Sequence, residues 1–155
     1  MVALRPVEAS DLDALFEQMR DPESVRMAAF TAADPNDRSA FDAHMARIMS
    51  SSENTLRVIV RDSRLLGTIA SYISDGATEV TYWIDRRYWG QGIATQALAL
   101  LLEEITVRPI RARAASDNAA SLRVLQKAGF RRLRTELSFA PARATEIEET
   151  ILELP

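Results

Sequence analysis

The chain has 155 residues, the size of one domain, which excludes a multidomain enzyme or a long repeat array. Hydrophobic residues make up 47% of the chain and charged residues 26%, which is typical of a folded soluble protein. A net charge of −3 argues against a protein that binds nucleic acid by neutralising phosphates, and the lack of cysteine and the single histidine argue against thiolate chemistry and Cys or His metal sites. We therefore expect one domain over residues 1–155, with no nucleic-acid partner and no metal.

The amino terminus and the longest apolar run bear on location. The first residues, MVALRPVEASDLD, lack a basic patch followed by an apolar stretch, and the longest apolar run, ALALLL at 97–102, is too short to cross a bilayer. From these two features we expect a cytoplasmic protein with no membrane partner.

The first half of the chain is predicted to hold one strand, three helices and then three strands. In chain order these are a strand at 2–7, a helix capped by Ser10 or Asp11 and running to Arg20, a helix from Glu23 to Ala28, a loop at 30–39, a helix from Asp37 or Ser39 to about Met49, and strands at 55–60, 65–74 and 78–85. The pair Asp75-Gly76 is typical of a hairpin turn between the last two strands.

The second half begins with the longest helical pattern of the chain, at 91–105, where apolar residues repeat at three-to-four spacing. After it come a strand at 109–115, a helix at 118–128 that Gly129 ends, and two closing strands at 130–139 and 145–154. A mixed sheet covered by helices satisfies this order, so the predicted fold class is α/β (α+β). The only clear parallel crossover is the strand, helix and strand at 80–115.

A glycine-containing loop joins the strand at 78–85 to the long helix, in the segment WIDRRYWGQGIATQ at 83–96. The first turn of a helix has unpaired N–H groups and the positive end of the helix dipole, so this junction can hold an anion. Gly90 and Gly92 allow close approach of the backbone and positive φ. The Lys-Ser/Thr pair of a Walker loop and the third small residue of a Rossmann fingerprint are both absent. The alternative is that the glycines serve only a tight turn.

Two motifs resemble those of the GNAT acetyltransferase superfamily. Residues 87–92, RYWGQG, match its acetyl-coenzyme A (acetyl-CoA) loop, Gln/Arg-x-x-Gly-x-Gly/Ala, and the block at 112–133 is similar to the next motif of the family. That block carries Asn118, Ser121, Lys127, Gly129 and Phe130 at the family's spacing. Within the superfamily, the sequence of these two motifs is most similar to the branch of ribosomal-protein N-terminal acetyltransferase-like proteins. The resemblance implies a mostly antiparallel sheet of about seven strands with a splayed central pair, covered by about four helices.

The resemblance also implies acetyl-CoA as cosubstrate, with main-chain N–H groups from Arg87 to Ala94 around its pyrophosphate and the pantetheine arm along the strand before the loop. The cofactor-binding residues implied are Trp83, Ile84, Asp85, Arg87, Gly90, Gln91, Gly92, Ile93, Ala94, Thr95, Asn118 and Arg123. Arg86 and Lys127 are further candidates for ion pairs with the phosphates. The alternative for each cation is a solvated surface charge.

Acetyl transfer to an amine needs a neutral amine, and an α-amino group is about a tenth neutral at pH 7 whereas a lysine amine is neutral in fewer than about one in a thousand molecules. By resemblance Glu79 is the base that takes the amine proton; the alternative is a solvated carboxylate at a hairpin end.

The acid is a separate question. Many family members supply it from a tyrosine, but this chain has Leu125 at the corresponding position. Ser121, one turn earlier, is the implied acid, and the alternative is a serine bonded to its own turn.

The predicted function is an N-acetyltransferase that moves an acetyl group from acetyl-CoA to a primary amine by direct attack in a ternary complex. A peptide N-terminus is the first acceptor expected and a small-molecule amine the second. By resemblance Met27, Phe30 and Thr31 would contact the acceptor, and the closing strands could pair in a homodimer. The alternative is a non-catalytic module that binds CoA as a sensor or scaffold.

Overall fold

Seven strands form one sheet in the computed structural model, which describes residues 1–155. The strands are β1 Ala3–Pro6, β2 Thr55–Arg61, β3 Arg64–Ser74, β4 Ala77–Ile84, β5 Ile110–Ala115, β6 Arg131–Ala140 and β7 Thr145–Leu154. Their order across the sheet is β1-β2-β3-β4-β5-β7-β6, and every neighbouring pair is antiparallel except β4 and β5. The predicted mixed, mostly antiparallel sheet is confirmed.

Five α-helices accompany the sheet, the number that the local sequence patterns predicted, where the family resemblance implied about four. They are α1 Leu12–Met19, α2 Pro22–Ala28, α3 Arg38–Ser50, α4 Ile93–Glu104 and α5 Ala119–Lys127. α2 is separate from α1 because Asp21 accepts a hydrogen bond from the Ser24 N–H at 3.0 Å and Pro22 occupies the first helical position, where no N–H is needed. None of these helices combines the length and hydropathy needed to span a membrane.

The main core lies between the sheet and the helices α4 and α5. Its fully buried members include Ile69 of β3, Leu98 and Leu101 of α4, and Leu125 of α5. A smaller cluster on the other face of the sheet joins α1 and α3 to β2 through Leu15, Met45 and Val58. The helices therefore cover both faces of the sheet, and α4 is held rigidly behind the loop that precedes it.

The two central strands separate soon after they meet. β4 pairs with β3 over its whole length, from Ala77 to Ile84, but it pairs with β5 only at Thr78 and Glu79. Beyond Glu79 the parallel ladder ends, and a wedge opens between β4 and β5. The predicted splayed pair is thus confirmed, and the wedge points toward the loop that leads into α4.

Candidate active site

A cavity of about 570 Å³ occupies the mouth of the wedge, between α2, the end of β4 and the first turns of α4 and α5. It brings together most of the residues that the sequence singled out. These are Met27, Trp83, Ile84, Gly90, Gly92, Ile93, Ala94, Thr95, Asn118, Ser121 and Arg123, and Lys127 joins them. The remaining predicted residues lie elsewhere: Phe30, Thr31, Glu79, Asp85, Arg87 and Gln91.

The glycine loop leaves the start of α4 open. Gly90 has φ +78° and Gly92 has φ +74°, and a Cβ built on either would meet no atom within 4 Å. Gly92 is the N-cap and has no side chain to bond the first turn, whose first main-chain bond runs from the Gln96 N–H to the Gly92 carbonyl at 3.1 Å. The N–H groups at 93–95 therefore have no acceptor within the chain, and they face the cavity.

The earlier part of the loop uses its own N–H groups. Arg87 N–H donates to the Asp85 carboxylate at 2.9 Å, Tyr88 N–H to the Asp85 carbonyl at 2.9 Å, and Trp89 N–H to the Arg86 carbonyl at 3.2 Å. These bonds form because the segment from Arg86 to Tyr88 folds into one 3-10 turn. Donors free to hold an anion therefore begin after Trp89, a narrower set than the expected span that started at Arg87.

The candidate cations separate into two groups. Arg87 is paired with Asp85 at 2.8 Å and Arg86 with Asp21 at 3.0 Å, and both arginines line a second pocket. Burial alone would raise the pKa of Asp85, but the hydrogen bonds from Arg87 outweigh it and lower that pKa. Arg123 and Lys127, in contrast, line the main cavity.

The edge of β4 that faces the wedge offers main-chain groups. Asp85 N–H donates to the Leu66 carbonyl at 2.8 Å, which makes Ile84 and Gly67 a non-hydrogen-bonded pair of the antiparallel ladder. By alternation the N–H and C=O groups of Tyr82 and Ile84 then point away from β3, toward the wedge where β5 no longer pairs. The indole N–H of Trp89 donates to the Ile84 carbonyl at 2.9 Å. The remaining groups on this edge suit an extended, amide-rich ligand.

Ser121 lies in the first turn of α5 and is held from two sides. The side chain of Asn118 caps the helix by accepting a hydrogen bond from the Ser121 N–H at 3.3 Å. The Ser121 hydroxyl oxygen lies 2.7 Å from the hydroxyl oxygen of Tyr82, which comes from β4. Burial raises the pKa of Tyr82, so its phenol stays protonated. Leu125, where many family members carry a tyrosine, is fully buried in the core.

Glu79 lies on the face of β4 opposite Tyr82 and is 5% exposed. Its carboxylate accepts a hydrogen bond from Arg113 Nε at 3.2 Å. The other end of the Arg113 guanidinium lies 3.4 Å from both Glu136 and Glu149. Glu79 is therefore a buried, ion-paired carboxylate rather than the solvated one that the alternative reading described.

Phe30, Thr31 and Gln91 do not line the cavity. Phe30 packs against the small cluster of Ala29, Ala115 and Ala140, and the Thr31 hydroxyl is buried without a hydrogen-bond partner. The side-chain amide oxygen of Gln91 accepts a hydrogen bond from Arg61 at 3.1 Å.

Sequence reasoning missed two partners of the predicted catalytic residues, Tyr82 and Arg113. Strand alternation carried a signal for both. Alternation placed Tyr82 and Glu79 on opposite faces of β4, and Tyr82 lies on the face that α5 covers. On β5, alternation placed Arg111 and Arg113 on the same face, which indicated that this face is polar.

Comparison with known proteins shows the family of the chain. The family model described as "Acetyltransferase (GNAT) domain" matches residues 2–131. The "Uncharacterized N-acetyltransferase p20" of Bacillus licheniformis is 24% identical over 141 residues, which are 84% of this chain and 79% of that protein.

Two solved structures show the same fold at low identity. RimJ of Mycobacterium smegmatis, in complex with CoA-disulfide, has a TM-score of 0.81 at 21% identity and covers 98% of this chain and 80% of its own. The spermidine N-acetyltransferase of Vibrio cholerae, in complex with CoA and spermine, has a TM-score of 0.81 at 14% identity and covers 99% of this chain and 95% of its own. Because the family model spans most of its length, the chain belongs to the GNAT acetyltransferase family and is an acyltransferase.

Proposed function

We propose that the protein transfers an acetyl group from acetyl-CoA to a primary amine by direct attack within a ternary complex. The observation that carries this proposal is the open first turn of α4, where the N–H groups at 93–95 have no acceptor in the chain and face a cavity at the mouth of the β-wedge. RimJ, a structure with the same fold, was solved with a CoA derivative bound.

The residues around the cavity fit both the phosphate end and the pantetheine end of CoA. The free N–H groups of α4, with Arg123 and Lys127 on the same cavity wall, would hold the phosphates, because a helix N-terminus and nearby cations both favour negative charge. The unpaired edge of β4 at Tyr82 and Ile84 would hold the amide groups of the pantetheine arm. When bound, acetyl-CoA supplies an activated acyl carbon and a good leaving group.

The chain's own residues supply the proton chemistry in this proposal. Glu79 takes the proton that the attacking amine loses, directly or through a water, and the Ser121 hydroxyl donates a hydrogen bond at the departing sulfur. The chain has no cysteine that could carry the acetyl group as a thioester, which favours direct attack by the amine. The wedge-facing N–H groups of β4 would stabilise negative charge on the acyl oxygen.

The first experiment measures CoA binding by isothermal titration in a pair of matched variants. Thr95→Glu puts a carboxylate among the free N–H groups of α4, and we expect it to weaken CoA binding at least about tenfold by repelling the phosphates and competing for the donors. Gln96→Glu adds the same charge one residue later, outside the cavity lining, and is expected to keep wild-type affinity. Equal affinity in all three proteins would contradict the proposed phosphate site.

The second experiment follows free-thiol release from acetyl-CoA over a panel of amines. The panel contains short peptides with free α-amino groups and small-molecule amines that include spermidine. We expect turnover with a peptide N-terminus, and turnover with small amines alone would select the second acceptor class. Binding of acetyl-CoA without turnover on any amine would instead favour the non-catalytic sensor or scaffold.

The role of Glu79 is tested through pH. If Glu79 is the base, Glu79→Gln removes the acidic limb of the profile of kcat/KM against pH, because that limb reports protonation of the free enzyme's base. The wild-type profile is measured alongside with the same acceptor. A limb of unchanged position and slope in the variant would remove Glu79 from the mechanism.

A further inference from the structure

The hydroxyl groups of Tyr82 and Ser121 form a pair that spans the site. Their oxygens lie 2.7 Å apart, and the Tyr82 hydroxyl can also donate to the Ser121 carbonyl oxygen, at 3.3 Å; of the two contacts, the one between the hydroxyl groups is the shorter. Tyr82 comes from β4 and Ser121 from the first turn of α5, and both side chains line the cavity. The contact therefore joins two elements at the place where the wedge opens.

A serine in a helix can bond back to the carbonyl four residues earlier. Ser121 makes no such side-chain bond to the carbonyl of Asp117, and Tyr82 is its partner instead. A hydroxyl carries one proton and two lone pairs, so it can accept one hydrogen bond while donating another. When Tyr82 donates to the Ser121 oxygen, the Ser121 proton is left free to point into the cavity.

The state of Tyr82 suits this role. Burial disfavours its phenolate and raises its pKa, so the phenol keeps its proton and remains a donor across the working pH range. A hydrogen bond received by Ser121 also polarises its own O–H bond, which makes it a better donor to a negative partner.

We propose that Tyr82 is a positioning residue that holds the Ser121 hydroxyl as a hydrogen-bond donor toward the thiolate of CoA. This rests on the proposed function and deepens it. In the transfer a C–N bond forms and the C–S bond breaks, with its electron pair left on sulfur. Ser121 stabilises that charge by a hydrogen bond, the amine proton leaves to Glu79 or water, and sulfur gains a proton from solvent on release.

The test uses the binary complex with CoA and needs no acceptor. The pKa of the bound CoA thiol is read from the ultraviolet absorbance of its thiolate during a pH titration. The thiol of free cysteine has a pKa of about 8.5, and hydrogen-bond donors aimed at the sulfur of any thiol lower its pKa because they stabilise the thiolate. We expect Tyr82→Phe and Ser121→Ala each to raise the pKa of the bound thiol by about 1, and the double variant to raise it no further.

Tyr88→Phe is the matched control, because it removes a hydroxyl from the same cavity without touching Ser121, and the thiol pKa of the complex is expected to stay at the wild-type value. If Tyr82→Phe binds CoA with wild-type affinity and the pKa of the bound thiol is also unchanged, the inference is overturned and the proposed function still stands. Loss of CoA affinity in Tyr82→Phe would also overturn it, because Tyr82 would then be a binding residue. Failure of the wild-type protein to bind CoA would overturn both.

Discussion

Gly67 of β3 lies where the backbone of β4 leaves no room for a side chain. A Cβ at this position would overlap the carbonyl oxygen of Trp83, and both groups belong to rigid backbone. We expect Gly67→Ala to lower the free energy of unfolding by about 3 kcal/mol, because the two strands must separate to admit a methyl group. Urea denaturation measures the change.

Gly76→Ala is the control for Gly67. Gly76 has φ +77° in the hairpin turn, and a Cβ there would meet nothing within 4 Å. Backbone strain alone should cost about 1 kcal/mol at that position. If the two variants lose similar amounts of unfolding free energy, the close contact between β3 and β4 at Gly67 does not contribute to the cost of the substitution.

Asp11 gives the molecule one source of acid sensitivity. Its buried carboxylate receives two hydrogen bonds from Arg5, at 2.8 and 2.9 Å, and one from the Glu8 N–H at 2.8 Å. The hydrogen bonds from Arg5 lower the pKa of Asp11 below its usual value, so the ionised form stabilises the fold. That stabilisation is complete above the unfolded pKa of about 4 and is lost as the pH falls through the lower pKa of the folded state.

We therefore expect Asp11→Asn to lower the free energy of unfolding by about 2 kcal/mol at pH 7. The gap between variant and wild type should narrow as the pH is lowered below about 4, because the wild-type carboxyl then becomes neutral as well. Urea denaturation at a series of pH values checks both parts. A gap that stays constant over the series would assign the loss to shape rather than charge.

At the scale of elements, local signals predicted almost every helix and strand. The three-to-four spacing from Ile93 predicted α4, which runs from Ile93 to Glu104, and Asp75-Gly76 predicted the hairpin between β3 and β4. Side-chain pairing across strands was not predictable in the same way. Arg113 and Glu79 are 34 positions apart, and their contact follows from the parallel register of β4 and β5, which no local pattern encodes.

Arg113 of β5 and its partner Glu79 of β4 connect these two strands where they begin to part. Arg113 is the only hydrogen-bond partner of the buried Glu79 carboxylate, and it also neighbours Glu149, which is 6% exposed. We expect Arg113→Met to lower the free energy of unfolding by about 3 kcal/mol, because two buried carboxylates then lose their counter-charge. The loss should shrink when Arg113→Met is made in the Glu79→Gln background. Equal losses in both backgrounds, measured by urea denaturation, would show that Arg113 and Glu79 are not coupled.

At the scale of the whole molecule, the sheet consists of two halves, β1 to β4 and β5 to β7, that share only two register positions at their junction. The resemblance of the sequence motifs to a known family implied this wedge, whereas composition and periodicity did not. The cavity is lined by Ile84 of β4, in the first half, and by Asn118 and Ser121 of α5, the helix that connects β5 to β6 of the second half. A ligand seated there would join β4 to that helix.

CoA bound in this cavity should therefore stabilise the folded state. A ligand that binds only the folded state stabilises it by about 2.7 kcal/mol at 100 times its Kd, which for a domain of this size raises Tm by roughly 5 to 10 °C. We expect CoA to do so, and pantetheine at the same concentration, which lacks the phosphates, to raise Tm much less. Thr95→Glu should abolish most of the shift caused by CoA and leave the effect of pantetheine unchanged, because only the phosphates meet the first turn of α4. Thermal unfolding followed by circular dichroism measures all four combinations, and an equal shift by CoA and pantetheine in the wild-type protein would place the main binding energy on β4 instead of α4.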